Sequence, residues 1–477
     1  MPRFLEHFGI DLHQAGVDFV DIDLDADTPL YVCPYALETR EDEWSQECGD
    51  LIRSFFNEVL SALRSDNLAR VEHLMGNLHE PNETRLGQSV GEIRGRGVGS
   101  DKGAEIVKSL KKSRAFNTGL LSDISETELF IYGIGRDTIS DLTTNIIRSK
   151  LGEYTQNQCS LLGVPTTAVR SLAPVWSAVD LDWRAQAFEL PLYRGRPILL
   201  VPKSAVRLKL SIDSQEFYNK FMLEFLQAEY LNAGGALVKT FKNGIRKVTK
   251  KSVKAIHPFE KDALAEFAEA HPDVLERYKR LKGSAGPISN RDLQNDFREN
   301  FFARALSESL AQIPTGIEAA AQYHTFMIGV LTFLFYPDLI NPVKEAMLHD
   351  GRKRVDIIYT NASDTGFFHR RLVAPQTRAN SVFVECKNYT REVKNPELDQ
   401  LSGRFNLRRG HFGILLCRKL ENRDLIIKSC RDTAIDGRGY MLPLEDSDIL
   451  EMLALIENGQ RDRLHSLCER LFEAVSR

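Results

Sequence analysis

Several features are missing from this 477-residue chain, and each absence excludes a class of protein. The formal net charge is -4, so the chain has no excess of basic residues and any nucleic-acid-binding surface must be a local patch. The chain has only seven cysteines, and none of them form a C-x-x-C pair. That argues against a disulfide framework and a zinc site, and it favours a reducing compartment.

Segments that would direct the chain to a membrane are also missing. The start, MPRFLEHFGIDLHQ, lacks the basic end and apolar run of a secretory signal. The most apolar helical stretch, FMIGVLTFLFY (326–336), stops at Pro337 and is too short to span a bilayer. We therefore expect this stretch to form a buried helix, and we expect a cytoplasmic protein without membrane contact.

The remaining composition is that of a folded protein with more than one domain. Hydrophobic residues make up 43% and charged residues 27% of the chain, both ordinary values. Its length allows two or three domains, and Gly, Pro and small residues in RLKGSAGPISNRD (280–292) interrupt two helical patterns. We predict an α+β domain of unknown role over 1–205, a mostly helical, basic middle segment over 206–285, and a third domain over 286–477.

The third domain alternates helical and strand-like patterns. An apolar helix (316–336) precedes strand-like runs near 343–349 and 353–360, which flank Asp350-Gly351 as in a hairpin. A strand (381–388), a helix (395–407), a strand (411–418), another helix and a last strand follow. Fully apolar strands between helices predict an α/β fold with a mixed sheet flanked by helices, preceded by a larger α+β or helical amino-terminal region.

One strand, in SVFVECKNYT (381–390), ends with an acid and a base. Alternate side chains of an extended chain share a face, so Glu385 and Lys387 lie on the same side. Asp356, in RKRVDIIYT, lies on the strand predicted to be the neighbour. Two carboxylates can bind Mg²⁺ or Mn²⁺, which activates water for phosphodiester hydrolysis, and a lysine can orient that water or stabilise the anionic transition state. The alternative is a salt bridge at the rim of the sheet.

This set resembles the signature of the PD-(D/E)XK superfamily, the restriction-endonuclease-like nucleases. That signature is an Asp, a variable gap and (Asp/Glu)-x-Lys on the next strand, here Asp356, Glu385 and Lys387. The predicted α-β-β-β-α-β order is similar to the core of the family, and Val355 replaces its proline without removing a ligand. The resemblance covers roughly the last third of the chain and implies that residues 286–477 form a Mg²⁺-dependent nuclease domain.

Further residues of the site each have a plainer alternative role. The backbone carbonyl of Cys386, between the two reactive side chains, is a candidate third metal ligand. The resemblance implies a Glu on the first core helix, a place that Glu318 fills, and a Gln on the helix after the ExK strand, a place that Gln400 fills. The alternatives are a solvent-facing acid at a helix start and an ordinary polar helix residue.

Basic residues are candidate contacts to nucleic-acid phosphates, and the alternative for each is a solvated charge. The segment TFKNGIRKVTKKSVK (240–254) contains no acid, so binding there would weaken as salt rises. The candidates near the site and in this segment are Arg352, Arg354, Arg408, Arg409, Lys247, Lys250 and Lys251.

The sequence thus predicts a metal-dependent endonuclease that hydrolyses DNA, with RNA as an alternative substrate. The first two thirds of the chain would supply target recognition, assembly into a homo-oligomer, or control by a partner. This arrangement is similar to that of restriction and phage-defence effectors, an analogy at the level of architecture. The competing hypothesis is a catalytically inactive nucleic-acid-binding or assembly protein with a nuclease-like fold.

Overall fold

The fold is described from a computed structural model. It describes residues 2–87, 100–170, 172–240, 243, 245–344, 357–389 and 395–477. Within these ranges, none of the helices combines the length and the apolar character needed to span a bilayer. All seven cysteines are free thiols, as the missing C-x-x-C pairs predicted.

The amino-terminal region packs helices around short two-stranded antiparallel sheets. Its helices are α1 (Phe4–His7), α2 (Pro34–Glu38), α3 (Glu43–Arg64), α4 (Leu68–Gly76), α5 (Ser100–Lys112), α6 (Arg114–Thr118), α7 (Thr127–Phe130), α8 (Arg136–Ile146) and α9 (Arg148–Leu162). Its strands are β1 (Tyr31–Val32), β2 (Thr167–Val169), β3 (Val175–Ser177), β4 (Asp182–Arg184), β5 (Phe188–Leu190), β6 (Leu192–Tyr193), β7 (Arg196–Pro197) and β8 (Val206–Arg207). The pairs are β1 with β8, β2 with β5, β3 with β4 and β6 with β7.

The middle segment is mostly helical, apart from one hairpin. Its helices are α10 (Ser214–Glu216), a π-helix (Phe217–Met222), α11 (Leu223–Ala233), α12 (Lys250–Ile256), α13 (Lys261–Ala270), α14 (Pro272–Gly283) and α15 (Asn290–Leu293). The hairpin strands are β9 (Lys239–Thr240) and β10 (Arg246–Lys247), which pair antiparallel.

The carboxy-terminal region builds one larger sheet. Its helices are α16 (Glu299–Gln312), α17 (Ala320–Phe335), α18 (Gly366–Val373), α19 (Asn395–Ser402), α20 (Arg423–Ile435), α21 (Asp446–Glu457) and α22 (Leu464–Ser476). Its strands are β11 (Leu339–Val343), β12 (Ile357–Asn361), β13 (Ser381–Lys387), β14 (Phe412–Cys417) and β15 (Tyr440–Glu445).

These five strands lie side by side in the order β11-β12-β13-β14-β15. The first two pairs are antiparallel and the last two are parallel. The predicted α/β character and the mixed sheet are therefore confirmed. The first strand begins earlier than predicted, at Leu339, and the proposed turn at Asp350-Gly351 lies outside the described residues.

Helices cover both faces of this sheet. On one face, the Tyr359 hydroxyl of β12 donates to the carbonyl of Ile328 in α17, at 3.2 Å. On the other face, a Cβ on Gly413 of β14 would lie 3.0 Å from the Leu401 side chain of α19. Because α19 connects the parallel strands β13 and β14, it runs back from the carboxyl end of β13 across the sheet.

Two large hydrophobic clusters form the interior. The first contains residues from the range 4–288, and the second contains residues from 297–475 together with Ala15 and Leu161. The clusters meet where a Cβ on Gly16 would lie 3.2 Å from the Cα of Gly329 in α17. A Cβ at position 16 would require the backbone of α17 to move by a few tenths of an ångström.

Opposite charges are enclosed near this meeting point. Asp18 is 1% and Lys203 0% exposed. Tyr154 donates its hydroxyl to Asp18 at 2.8 Å, whereas the Lys203 ammonium donates to Asn290 at 3.2 Å and lies 4.2 Å from the ring centre of Tyr336. Burial raises the pKa of the Asp18 carboxyl and lowers the pKa of Lys203 to about 8, while the attraction between the two charges opposes both shifts.

Candidate active site

The carboxyl end of β13 carries the predicted acid and base. Phe383 and Val384 are fully buried and fix the strand in the sheet, where Glu385 lies opposite Leu415 of β14. The Lys387 ammonium donates to Oε1 of Glu385 at 2.5 Å. The two side chains therefore share a face of the sheet, as the alternation of the strand predicted.

These two groups differ in their access to solvent. Glu385 is 1% exposed, and the Lys387 side chain is 12% exposed. A buried carboxylate requires a cation or hydrogen-bond donors to compensate for lost hydration. Lys387 supplies a cation here and also lies 5.7 Å from the ring centre of Tyr389.

The third member of the predicted set, Asp356, lies outside the described residues, as do Arg352 and Arg354. The described strand β12 begins at Ile357, the next residue in the sequence. Ile357 pairs with Val384, the residue before Glu385. The register of β12 and β13 is thus fixed directly beside Glu385.

Glu318 does not lie on the first core helix, and that expectation was wrong. It lies exposed in a turn, because α17 begins only at Ala320. The helical pattern of GIEAAA is overridden at Gly316, whose φ of +119° is incompatible with a right-handed helix. The Gly316 N–H instead donates to the carbonyl of Asn388, at 2.9 Å.

Asn388 ties this turn to the end of β13. Its buried side-chain amide donates to the carbonyls of Pro314, at 3.0 Å, and Gly316, at 2.8 Å. Because Asn388 directly follows Lys387, these bonds hold the turn containing Glu318 against the end of the strand that carries the candidate site.

Arg418, at the end of the neighbouring strand β14, supports the same turn. Its guanidinium donates to the Ile313 carbonyl at 2.8 Å and to Asn388 at 3.3 Å, and it pairs with Asp446 at 2.7 Å. Burial raises the pKa of Asp446, opposed chiefly by the charge of Arg418. Sequence reasoning missed Asn388 and Arg418, although each is a polar residue directly after an apolar strand, which is a usable signal.

Helix α19 covers the face that carries Glu385. Gln400 is half-buried, and its backbone carbonyl accepts from the Arg404 guanidinium at 3.2 Å. Leu401 packs over Gly413, which is the cross-strand partner of Phe383. Gln400 is therefore on the helix that covers the candidate site, as the sequence predicted for its position.

The same helix carries an acid that sequence reasoning missed. Glu397, in the first turn of α19, is 8% exposed and lies four residues before Leu401, on the same side of the helix. Leu401 packs at the level of Phe383, because it lies over Gly413, the cross-strand partner of Phe383. Four helix residues rise about 6 Å, and two strand residues span about 6.6 Å. Glu397 therefore lies at about the level of Glu385. The available signal was an acid four residues before a buried leucine.

Arg408 and Arg409 lie at the opposite end of β13. The Ser381 N–H at the start of the strand donates to the carbonyl of Arg409 at 2.8 Å, and the strand from there to Lys387 is about 20 Å long. Arg408 is exposed and pairs with Glu43 of the amino-terminal region at 2.8 Å. The structure does not bring these two arginines together with Glu385.

The candidate phosphate contacts of the middle segment have different surroundings. Lys247 of β10 and Lys251 of α12 are exposed. Lys250 is instead engaged within the protein, because its ammonium pairs with Glu224 at 2.8 Å and donates to the Asn219 carbonyl at 2.9 Å.

The described donor set is small for a metal ion. Among the side chains that the structure describes, no group of three or more His, Cys, Asp or Glu residues could hold one. Mg²⁺ needs only one or two carboxylates, since water and substrate phosphate complete its shell. Glu385 and the Cys386 carbonyl therefore fit Mg²⁺ when a second carboxylate joins them, for which Asp356 and Glu397 are the candidates.

The similarity to a known family lies in the amino-terminal region of the chain. Residues 9–213 match the family of a domain of unknown function, DUF8370. Neither a curated protein nor a solved structure has significant similarity to the chain. The matched region contains Asp18 and Lys203 but not the five-stranded sheet, so the candidate active site lies outside the residues that match the family model.

Proposed function

We propose that this protein is a Mg²⁺-dependent endonuclease of the PD-(D/E)XK type that hydrolyses DNA. The observation that carries the proposal is the contact of Lys387 with Glu385 at the carboxyl end of β13. The third strand of a mixed sheet flanked by helices is where the resemblance places these two residues. The amino-terminal and middle regions would then provide recognition or control, as in restriction and phage-defence effectors.

In this proposal, Glu385 and Asp356 would hold the metal through their carboxylates, and Cys386 would hold it through its carbonyl. When bound, Mg²⁺ supplies a more acidic water and shields charge on the phosphate. The Lys387 ammonium, held by Glu385, orients the attacking oxygen and stabilises the negative charge that develops on the phosphate. A water molecule loses one proton as its oxygen bonds to phosphorus, the bond from phosphorus to one sugar oxygen breaks, and that sugar oxygen takes up a proton.

The surrounding residues position this site. Asn388 fixes the turn before α17 against the end of β13. Helix α19 covers the Glu385 face and adds Gln400, a donor for water or phosphate, and Glu397, a second source of a carboxylate. These roles rest on position in the fold and follow from the proposed activity.

One observation favours the competing function, an inactive nucleic-acid-binding or assembly protein. Glu385 is 1% exposed and already contacts the Lys387 ammonium, and both properties are expected of an ion pair with a purely structural role. In that case the pair would stabilise the sheet, and replacing either partner would lower the free energy of unfolding without changing any reaction.

A plasmid-cleavage assay separates the two functions. Wild type, Lys387→Ala, Glu385→Gln and Asp356→Asn are compared with Mg²⁺, with Mn²⁺ and with EDTA. We expect metal-dependent nicking by wild type and a loss of about 10²- to 10³-fold in each variant, because each removes a group that acts on the developing charge. Lys428→Ala, which removes an exposed lysine of α20, is the matched control and should cleave at the wild-type rate.

Cleavage at the wild-type rate by Glu385→Gln or Lys387→Ala would contradict the proposal. If wild type cleaves no form of DNA or RNA, calorimetric titration with Mn²⁺ provides a second measurement that does not require turnover. Binding by wild type that Glu385→Gln and Asp356→Asn both abolish would support the metal site, and absence of binding by wild type would support the inactive alternative.

A further inference from the structure

A group of basic side chains is concentrated on the hairpin of the middle segment and on the helix after it. Lys239, Arg246 and Lys247 lie on β9 and β10, and Lys251 and Lys254 lie on α12. All five are exposed. We call these five residues the basic hairpin surface.

The charges of this surface are not balanced within the fold. In the described ranges, no Asp or Glu side chain forms an ion pair with any of the five. The register places Lys247 directly opposite Lys239 across the hairpin. Like charges in facing positions destabilise a strand pair, and an isolated two-stranded hairpin is only marginally stable. The hairpin therefore carries a repulsion that a bound anion would relieve.

Other lysines of the same segment are neutralised. Lys220 pairs with Glu216 at 2.9 Å, Lys282 pairs with the same carboxylate, and Lys250 pairs with Glu224. Acids of this segment are thus available and pair with Lys220, Lys250 and Lys282. Among the described residues, the lack of ion pairs at the five cations is therefore local and not a consequence of composition.

The surface is anchored at the base of the hairpin. The Gln227 side chain of α11 donates to the Val248 carbonyl at 2.6 Å, and Val248 and Val253 are buried. Thr249 caps α12 by accepting from the Ser252 N–H. Because Lys251 and Lys254 are three positions apart, they lie on the same side of this short helix, next to the hairpin that precedes it.

We propose that the basic hairpin surface binds the phosphate backbone of nucleic acid independently of base sequence. Several separate, exposed cations match a ligand with repeated charges better than they match one small anion. That the nucleic acid is duplex DNA rests on the proposed function, because it would be the substrate cleaved at Glu385. Lys250 is not part of this surface.

Fluorescence anisotropy with labelled duplex DNA tests this surface apart from catalysis. The test variant is Lys239→Gln/Arg246→Gln/Lys247→Gln, in a Lys387→Ala background with EDTA, so that no cleavage occurs. We expect its affinity at low salt to fall at least about tenfold, and the slope of log K against log salt to decrease by about 3, one for each lost phosphate contact. The same salt titration on Arg184→Gln/Lys220→Gln/Arg470→Gln, three exposed cations elsewhere, provides an equal change in net charge.

Loss of affinity in the test variant but not in this control supports the surface, and so does an equal loss with duplex RNA, because phosphate is the shared group. Equal affinity of the two triple variants overturns it, as does binding of wild type to anionic phospholipid vesicles with none to nucleic acid. Circular dichroism melting checks the fold: removing the repulsion should leave the melting temperature unchanged or higher. Failure of the cleavage assay would leave this binding result unaffected, so the two proposals fail separately.

Discussion

Two buried carboxylate and ammonium sets in this protein invite comparison. Asp18 and Lys203 are enclosed where the two hydrophobic clusters meet, and Tyr154, Asn290 and Tyr336 surround them. Glu385 and Lys387 lie instead at the end of a strand, where the lysine side chain keeps 12% of its surface exposed. Burial of opposite charges is common to both sets, so burial alone does not identify an active site.

The partners of each set indicate what it does. Lys203 is fixed by groups from different parts of the chain, and its N–H donates to the Asp18 carbonyl at 2.8 Å. Such a set joins the region matched to DUF8370 with the carboxy-terminal sheet. Lys387 has solvent access at the carboxyl end of parallel strands, the edge where ligands bind in open α/β sheets. The first arrangement is suited to a structural role, and the second has the solvent access that the proposed reaction requires.

The junction also connects to the sheet that carries the candidate site. Gln158 of α9 donates to the Pro342 carbonyl of β11 at 2.9 Å. β11 pairs with β12, and β12 pairs with β13. The enclosed charges therefore lie against the edge strand of the sheet, two strands from Glu385, and their replacement tests stability where replacement of Glu385 tests activity.

The two sets should differ most in how much the free energy of unfolding falls when the lysine of each set is replaced. Lys203→Met leaves the Asp18 carboxylate without its compensating charge in the interior, and we expect the free energy of unfolding to fall by about 3–5 kcal/mol. Lys387→Met should lower it by only about 1–2 kcal/mol, a value between those of exposed and buried pairs, because the edge of its site is open. Urea denaturation at neutral pH in EDTA measures both.

A double variant separates loss of a charge pair from a packing defect. Asp18→Asn/Lys203→Met removes both charges, so it should recover most of the stability lost in Lys203→Met. If the double variant is as unstable as the single one, Lys203 contributes through packing, and the comparison between the two sets loses its electrostatic basis.

The next largest effect on stability should come from metal binding, which we expect only at Glu385 at the end of β13. A ligand present at 100 times its dissociation constant stabilises the folded state by about 2.7 kcal/mol. We expect a stabilisation of about this size on adding saturating Mg²⁺ to wild type, none in Glu385→Gln, and an undiminished one in Asp18→Asn. Urea denaturation with Mg²⁺ and with EDTA measures the difference. Equal stabilisation of all three proteins would mean that the ion binds elsewhere.

The sequence was sufficient to predict the strands β12 to β15, but not the start of β11 or the contacts around the candidate site. Alternation along β13 predicted that Glu385 and Lys387 share a face, because strand geometry is local. The predicted start of α17 was wrong, because Gly316 is held out of the helix by hydrogen bonds with Asn388. Asn388 directly follows β13 and is distant from Gly316 in the sequence. The common burial of Asp18 and Lys203 also depends on chain packing, which no local pattern encodes.

The smallest expected effect is a pH dependence of the free energy of unfolding that comes from the enclosed Lys203. Burial lowers the pKa of Lys203 from 10.5 to about 8, so between these values the unfolded chain holds a proton that the folded protein has released. Stability from this group therefore rises with pH in that window, by at most about 1.4 kcal/mol per unit. We expect the difference in unfolding free energy between wild type and Lys203→Met to grow from pH 8 to pH 10. Parallel curves for the two proteins would mean that Lys203 keeps its proton on folding, and that its burial does not lower its pKa.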